Sequence, residues 1–194
     1  MIKHTINNSD LAVYEYNLLS EFDFPTLVNY INEYKEQYPK NHYNNDGVWN
    51  GGNWWHSDYL VQYRTDNFND LISNIEQKAT KLVDSGSKMI TVNLEIKESW
   101  IIDYKITSFH KEHDHNPISF GAICYMDTFC ASDIWFSQTK ITPETGKLII
   151  FPGTLRHKVS PMTDVNGRRL VMAFNLYPKM NYENHNNFID NFIK

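Results

Sequence analysis

The chain has 194 residues, of which 41% are hydrophobic, 21% charged and 14% aromatic, and it carries a formal net charge of −5. That balance, with no cluster of Lys or Arg, argues against general nucleic-acid binding, and no apolar run approaches the ~18 residues of a membrane span. Two cysteines, Cys124 and Cys130, without C-x-x-C spacing, exclude a disulfide framework and argue against zinc-ribbon or thioredoxin chemistry; they read as small packed thiols.

The first residues, MIKHTINNSDLAVYEYN, lack the apolar stretch of a signal peptide, so a cytoplasmic location is expected. In FPTLVNYINEYKEQY, Leu27, Tyr30, Ile31 and Tyr34 recur at helical spacing, with Asp23 as the N-cap and Pro25 in the first turn. NNDGVWNGGNWWHSDYL has no period and reads as a long loop. Two readings of it stand side by side: Trp54, Trp55 and His56 form an exposed substrate lid near Gly51 and Gly52, or the tryptophans plug the end of the core. A second helix follows, because Phe68, Leu71, Ile72, Ile75, Ala79, Leu82 and Val83 make one stripe, with Asp66 or Asn67 to cap it and Gly86 to end it.

From residue 88 the period becomes two. MITVNLEIK alternates Ile90, Val92, Leu94 and Ile96 against Thr91, Asn93, Glu95 and Lys97, the pattern of a strand buried on one face. SWIIDYKI, ISFGAICYM, DIWFSQ, KLIIF and RLVMAFNLY are further strands, separated by turns at Asn116-Pro117 and Thr145-Gly146. No helical pattern intervenes, which excludes a parallel βαβ sheet and leaves an antiparallel sandwich, barrel or jelly-roll. The fold class is α+β. With no repeat or long linker, one domain spans residues 1–194.

The chemistry concentrates in HKEHDHNP and FPGTLRHKVSP. On an extended strand residues i and i+2 point to one face, so His113 and His115 can reach one metal ion, and His157 on a later strand supplies a third ligand. That set leaves three octahedral positions open, as in non-haem iron oxygenases. An H-x-H alone is a weak signal; the distal segment strengthens it. Beyond the strand LIIF and Pro152-Gly153 comes His157, and twelve residues later Arg169 opens RLVMAFN. An arginine leading a buried strand needs an anion, and its planar guanidinium grips a carboxylate through two nitrogens. The C5 carboxylate of 2-oxoglutarate is one such partner, its C1 carboxylate and C2 keto oxygen chelating the iron. An internal Asp or Glu is the other. Arg168 points to solvent.

Together these segments resemble the Fe(II)/2-oxoglutarate-dependent dioxygenases, and among them the small bacterial and phage-type oxygenases. The matching stretches are Ser99-Trp100, His113-Asp114-His115, Ser119 to Tyr125, Gly146 to Pro152, His157, and Arg169 to Asn175. The resemblance spans roughly residues 90–178 and touches nothing in the first 85. It implies a double-stranded β-helix (jelly-roll), with residues 1–87 as helical support and loop, 88–178 as catalytic core and 179–194 as tail. It also implies Fe(II) at His113, His115 and His157, with 2-oxoglutarate and O₂ as cosubstrates, and release of succinate and CO₂ on hydroxylation of an unidentified small-molecule or protein side-chain substrate. Arg169, helped by Tyr125, holds the cosubstrate on this reading, and Tyr104 and Asn175 are further pocket candidates.

One departure stands out: the usual His-x-Asp or His-x-Glu has His115 in second place. Either the metal sits among three histidines, or His110 and Glu112 form a shifted pair, or Asp114 reaches in from a bent loop. The Trp100-to-His interval and the following Asn-Pro favour His113 with His115. Rival functions are a non-catalytic metal-binding, cupin-like or structural jelly-roll, and a three-histidine dioxygenase without cosubstrate. His4, His42 and His185 have no partner in the sequence and read as surface residues.

Overall fold

The structure, a computed structural model, describes residues 1–6, 11–39, 50–51, 54–84, 92–129 and 131–179. Its strands are β1 (Ile2–Thr5), β2 (Ala12–Asn17), β3 (Asn50–Gly51), β4 (Trp54–His56), β5 (Leu94–Tyr104), β6 (Phe109–His113), β7 (Phe120–Phe129), β8 (Ile134–Phe136), β9 (Thr139–Ile141), β10 (Lys147–Pro152), β11 (His157–Val159) and β12 (Arg168–Pro178). The helices are α1 (Phe24–Gln37), the single turn α2 (Val61–Arg64) and α3 (Asn69–Asp84). Seven strands form one sheet in the order β1-β2-β10-β7-β12-β5-β4, and five form a second, β3-β6-β11-β8-β9. All these pairings are antiparallel.

The larger sheet is buried on both faces, which is why its central strands read as unbroken apolar runs. Along β12, Leu170, Met172, Phe174 and Leu176 pack on the helices, while Val171 and Ala173 join a second core that includes Ile134, Phe136, Ile141 and Val159 of the smaller sheet. Helix α1 supplies Phe24, Leu27, Ile31 and Tyr34 to the first core. Asp23 caps it, accepting from the Thr26 amide at 3.4 Å and from the Thr26 hydroxyl at 2.7 Å, with Pro25 in the first turn. The α3 cap differs from expectation. Thr65, not Asp66 or Asn67, accepts from the Asn67 amide and starts a 3-10 turn that runs into α3. Gly86 lies outside the described residues. No helix among those described is long and apolar enough to cross a membrane.

Three features depart from the strand pattern read in the sequence. First, residues before position 88 contribute strands as well as helices: β1, β2 and β4 extend the larger sheet, and Ile6, Val13 and Trp54 enter the core between the sheets. Second, the Trp54–His56 segment is a wall rather than an exposed lid. It pairs with β5, Trp54 and His56 are buried, and Trp55 is half-buried. Third, MITVNLEIK and SWIIDYKI are not separate strands. Leu94 to Tyr104 run continuously, residues 89–91 lying outside the described part.

Within β5 the side chains change face. Leu94 and Ile96 bury against the helices, whereas Trp100, Ile102 and Tyr104 bury between the sheets. The cause is a bulge: Asn175 of β12 faces Glu98, but the next residue, Leu176, faces Ile96. The extra residue, Lys97, turns everything after it over.

Candidate metal centre

A second bulge shapes the smaller sheet. His157 on β11 lies opposite His113 on β6, but Val159 lies opposite His110, so three steps on β6 match two on β11. His115 sits two residues past the end of β6, where its backbone N–H donates to the Gly153 carbonyl at 2.7 Å. Gly153 in turn donates to Ser119 at 3.0 Å, and a Cβ there would lie 2.3 Å from the Ile118 oxygen, so only glycine lets the two segments close. The outcome is three imidazoles, of His113, His115 and His157, each with a ring nitrogen within 4.8 Å of the others'.

Hydrogen bonding decides which nitrogens face one another. The Nδ1 atoms of His113 and His157 lie 2.8 Å and 3.3 Å from the backbone carbonyls of Lys111 and Leu155. Nδ1 of His115 lies 2.8 Å from Oδ1 of Asn175. Those oxygens accept only, so each Nδ1 carries the proton and each Nε2 keeps its lone pair. Burial lowers the pKa of all three rings, that of His157 well below its ordinary value with further help from its two neighbours. Three neutral rings with convergent lone pairs make an arrangement that could hold a cation.

No carboxylate joins them among the described residues. Glu112 pairs with Arg156 at 3.3 Å, and Asp114 accepts from the Asn116 amide at 3.2 Å. His110 is half-buried beside His113, and its Nδ1 shares a hydrogen bond of 2.7 Å with the Tyr104 hydroxyl.

Behind the histidines, a narrow chamber between the sheets reaches Tyr104, Tyr125 and Arg169. Arg169 is 1% exposed. Its Nη1 donates to the carbonyl and hydroxyl of Ser132, at 3.0 Å and 3.1 Å, and its guanidinium carbon stands 3.8 Å from the centre of the Tyr104 ring. Its Nε and Nη2 have no hydrogen-bond partner, and no acid is paired with it among the described residues. Desolvation pushes the Tyr104 hydroxyl up to about 12, and that of Tyr125 higher still, so both remain protonated donors. Asn175 stands apart from this group. It lines an outer cleft of about 340 Å³ on the other side of His113 and His115, together with Tyr59, Trp100 and Tyr177. Arg168 is half-exposed and pairs with Asp127 at 2.8 Å.

Several contributors have roles that the sequence did not show. Ser132 is an ordinary loop serine until Arg169 reaches it. His110 shares the cleft with His113 through the bulge, at a spacing a regular strand would not bring together. Phe151, whose ring centre is 4.7 Å from that of His157, fits only because position 121 is glycine; a Cβ there would lie 2.5 Å from the Phe151 ring. His4 is half-buried and paired with Glu15 rather than free on the surface. Cys124 is buried, while His42, His185 and Cys130 lie outside the described residues.

No family model matches the sequence, and no curated protein resembles it in sequence. Solved structures do match. The viral collagen prolyl hydroxylase vCPH of Paramecium bursaria Chlorella virus-1, a 2-oxoglutarate complex, is 14% identical at a TM-score of 0.57, over 84% of this chain and 94% of its own. A prolyl-4-hydroxylase of Pseudomonas putida is 10% identical at a TM-score of 0.61, over 87% of this chain and 93% of its own. HygX of Streptomyces hygroscopicus, with nickel, 2-oxoglutarate and hygromycin B bound, is 11% identical at a TM-score of 0.61, over 87% and 83%. The chain has the fold of the 2-oxoglutarate–Fe(II) oxygenases.

Proposed function

We propose that this chain is a single-domain, double-stranded β-helix dioxygenase that uses Fe(II), 2-oxoglutarate and O₂ to hydroxylate a substrate. The observation that carries the reading is Arg169: a guanidinium buried with two unpartnered nitrogens, in a chamber walled by three histidines. Nothing in the described protein answers those donors, and a carboxylate entering the chamber would.

His113, His115 and His157 would hold the metal through Nε2. Bound there, Fe(II) would couple decarboxylation of 2-oxoglutarate, giving succinate and CO₂, to oxidation of the substrate by O₂. Arg169 orients the cosubstrate by its far carboxylate, and the Tyr125 hydroxyl donates beside it. Tyr104 holds the guanidinium flat from below. Ile102, Phe151 and Val171 keep the chamber dry, which strengthens each charge-assisted contact. Because the three imidazoles are neutral, the ligand set adds no negative charge to that of 2-oxoglutarate. Substrate is received in the outer cleft against Trp100 and Tyr59. Among the solved relatives, HygX holds the small molecule hygromycin B and vCPH is named for collagen, so both small-molecule and protein substrates stay open.

Anaerobic addition of Fe(II) and 2-oxoglutarate tests the reading. A visible charge-transfer band is expected for the wild type. His157→Ala should stay folded, bind no iron and show no band. Wild-type protein that binds iron without the band would point instead to a metal-binding module or a cosubstrate-free dioxygenase.

A further inference from the structure

His115 differs from its two companions in what holds it. Theirs are backbone carbonyls, which can only accept; its partner is the side-chain amide of Asn175, which can present either oxygen or nitrogen. Something must decide which way that amide points. The other end of Asn175 answers: its Nδ2 lies 2.5 Å from Oε2 of Glu98. An ionised carboxylate only accepts. Turned around, Asn175 would set its oxygen against that carboxylate and its –NH₂ against Nδ1, which would move the proton of His115 onto Nε2 and remove the lone pair the metal needs. Tyr177 stands beside the same carboxylate.

We infer that Glu98 is a positioning residue for the metal centre: through Asn175 it fixes the tautomer of His115 and sets a negative charge behind a ligand set that has none of its own. The placement is built into the sheet. Glu98 lies directly across from Asn175, and the bulge at the next step turns Glu98 toward the site although Ile96, two residues earlier, faces the helices. A regular strand would send both to the helix side. Partners of this kind, behind a metal ligand, typically change metal affinity by about 10- to 100-fold.

The inference rests on the metal-centre reading, and the test separates the two. In the metal-free protein at mildly alkaline pH, long-range ¹⁵N–¹H correlation spectra report the tautomer of each histidine. Wild type should show His115 protonated at Nδ1 alone; Glu98→Ala should show a mixture, with His113 and His157 unchanged. Co(II) titration should give affinity lower by about tenfold in Glu98→Ala. The double variant Glu98→Ala/Asn175→Asp, which sets a carboxylate directly on Nδ1, should restore both the single tautomer and the affinity. Glu98→Met, of similar length but with no oxygen to accept from Asn175, serves if the alanine variant does not fold. A single Nδ1 tautomer and unaltered Co(II) affinity in the Glu98 variants would overturn the inference. Wild type that binds no Co(II) would instead sink the metal-centre reading, while the metal-free spectra still report on the relay.

Discussion

Arg169 sits in the ligand-free fold at a disadvantage. Each buried N–H without a partner costs about 1–3 kcal/mol, offset here only by Ser132 and the Tyr104 ring face. Two outcomes follow on the proposed reading. Arg169→Ala should weaken 2-oxoglutarate binding by about 2–4 kcal/mol, roughly 30- to 700-fold, measured as the cosubstrate concentration that half-saturates the charge-transfer band. Arg169→Met, which keeps the volume and removes the charge, should raise the melting temperature of the ligand-free protein and abolish the further rise on adding 2-oxoglutarate. A fall in that melting temperature would mean the guanidinium is already satisfied. The histidines and this arginine were legible because few environments suit three clustered imidazoles or a charged strand opening. Ser132 and Glu98 were not: an isolated Ser or Glu has too many ordinary uses, and only the partner across space selects one.

Bulges carry much of the geometry at the scale of the strand. Alternation in the sequence marks a strand but cannot mark where its register slips, because a bulge is defined by the neighbour it faces. Hence β5 read as two strands, and His110 as a rival ligand rather than a neighbour of the site. Lys97 offers a clean contrast. Lys97→Ala alters an exposed side chain and should change stability by about 0.5 kcal/mol or less. Deleting Lys97 leaves Ile96 and Glu98 adjacent and on opposite faces as before, so unfolding should stay cooperative; inserting an alanine after Glu98 should abolish it, since Trp100, Ile102 and Tyr104 would trade places with Ile101 and Asp103. Melting curves of the three variants side by side decide it. Gly121→Ala tests β7, on the far side of β12. Its methyl group meets the Phe151 ring, so a loss of about 1–3 kcal/mol is expected in chemical denaturation, together with weaker metal binding as Phe151 presses on His157.

Every motif lies after residue 90, but the sheet does not begin there. β2 pairs with β10, β4 with β5, and α1 and α3 cover one face of the larger sheet. These parts were hard to read because β1, β2 and β4 are short and lie among polar residues, while the helices announced themselves by their stripes. A fragment starting at residue 88 is therefore expected to show no native near-UV circular dichroism, despite holding all the proposed ligands. A native-like spectrum would make the first part an appendage. The two cavities also share Trp100, His110, His113 and His115 in their walls. A molecule seated in the outer one stands across the doorway of the inner one. On the proposed reading, arrival should therefore be sequential, the keto acid first and the molecule to be oxidised second, with excess of the latter slowing turnover by shutting the former out.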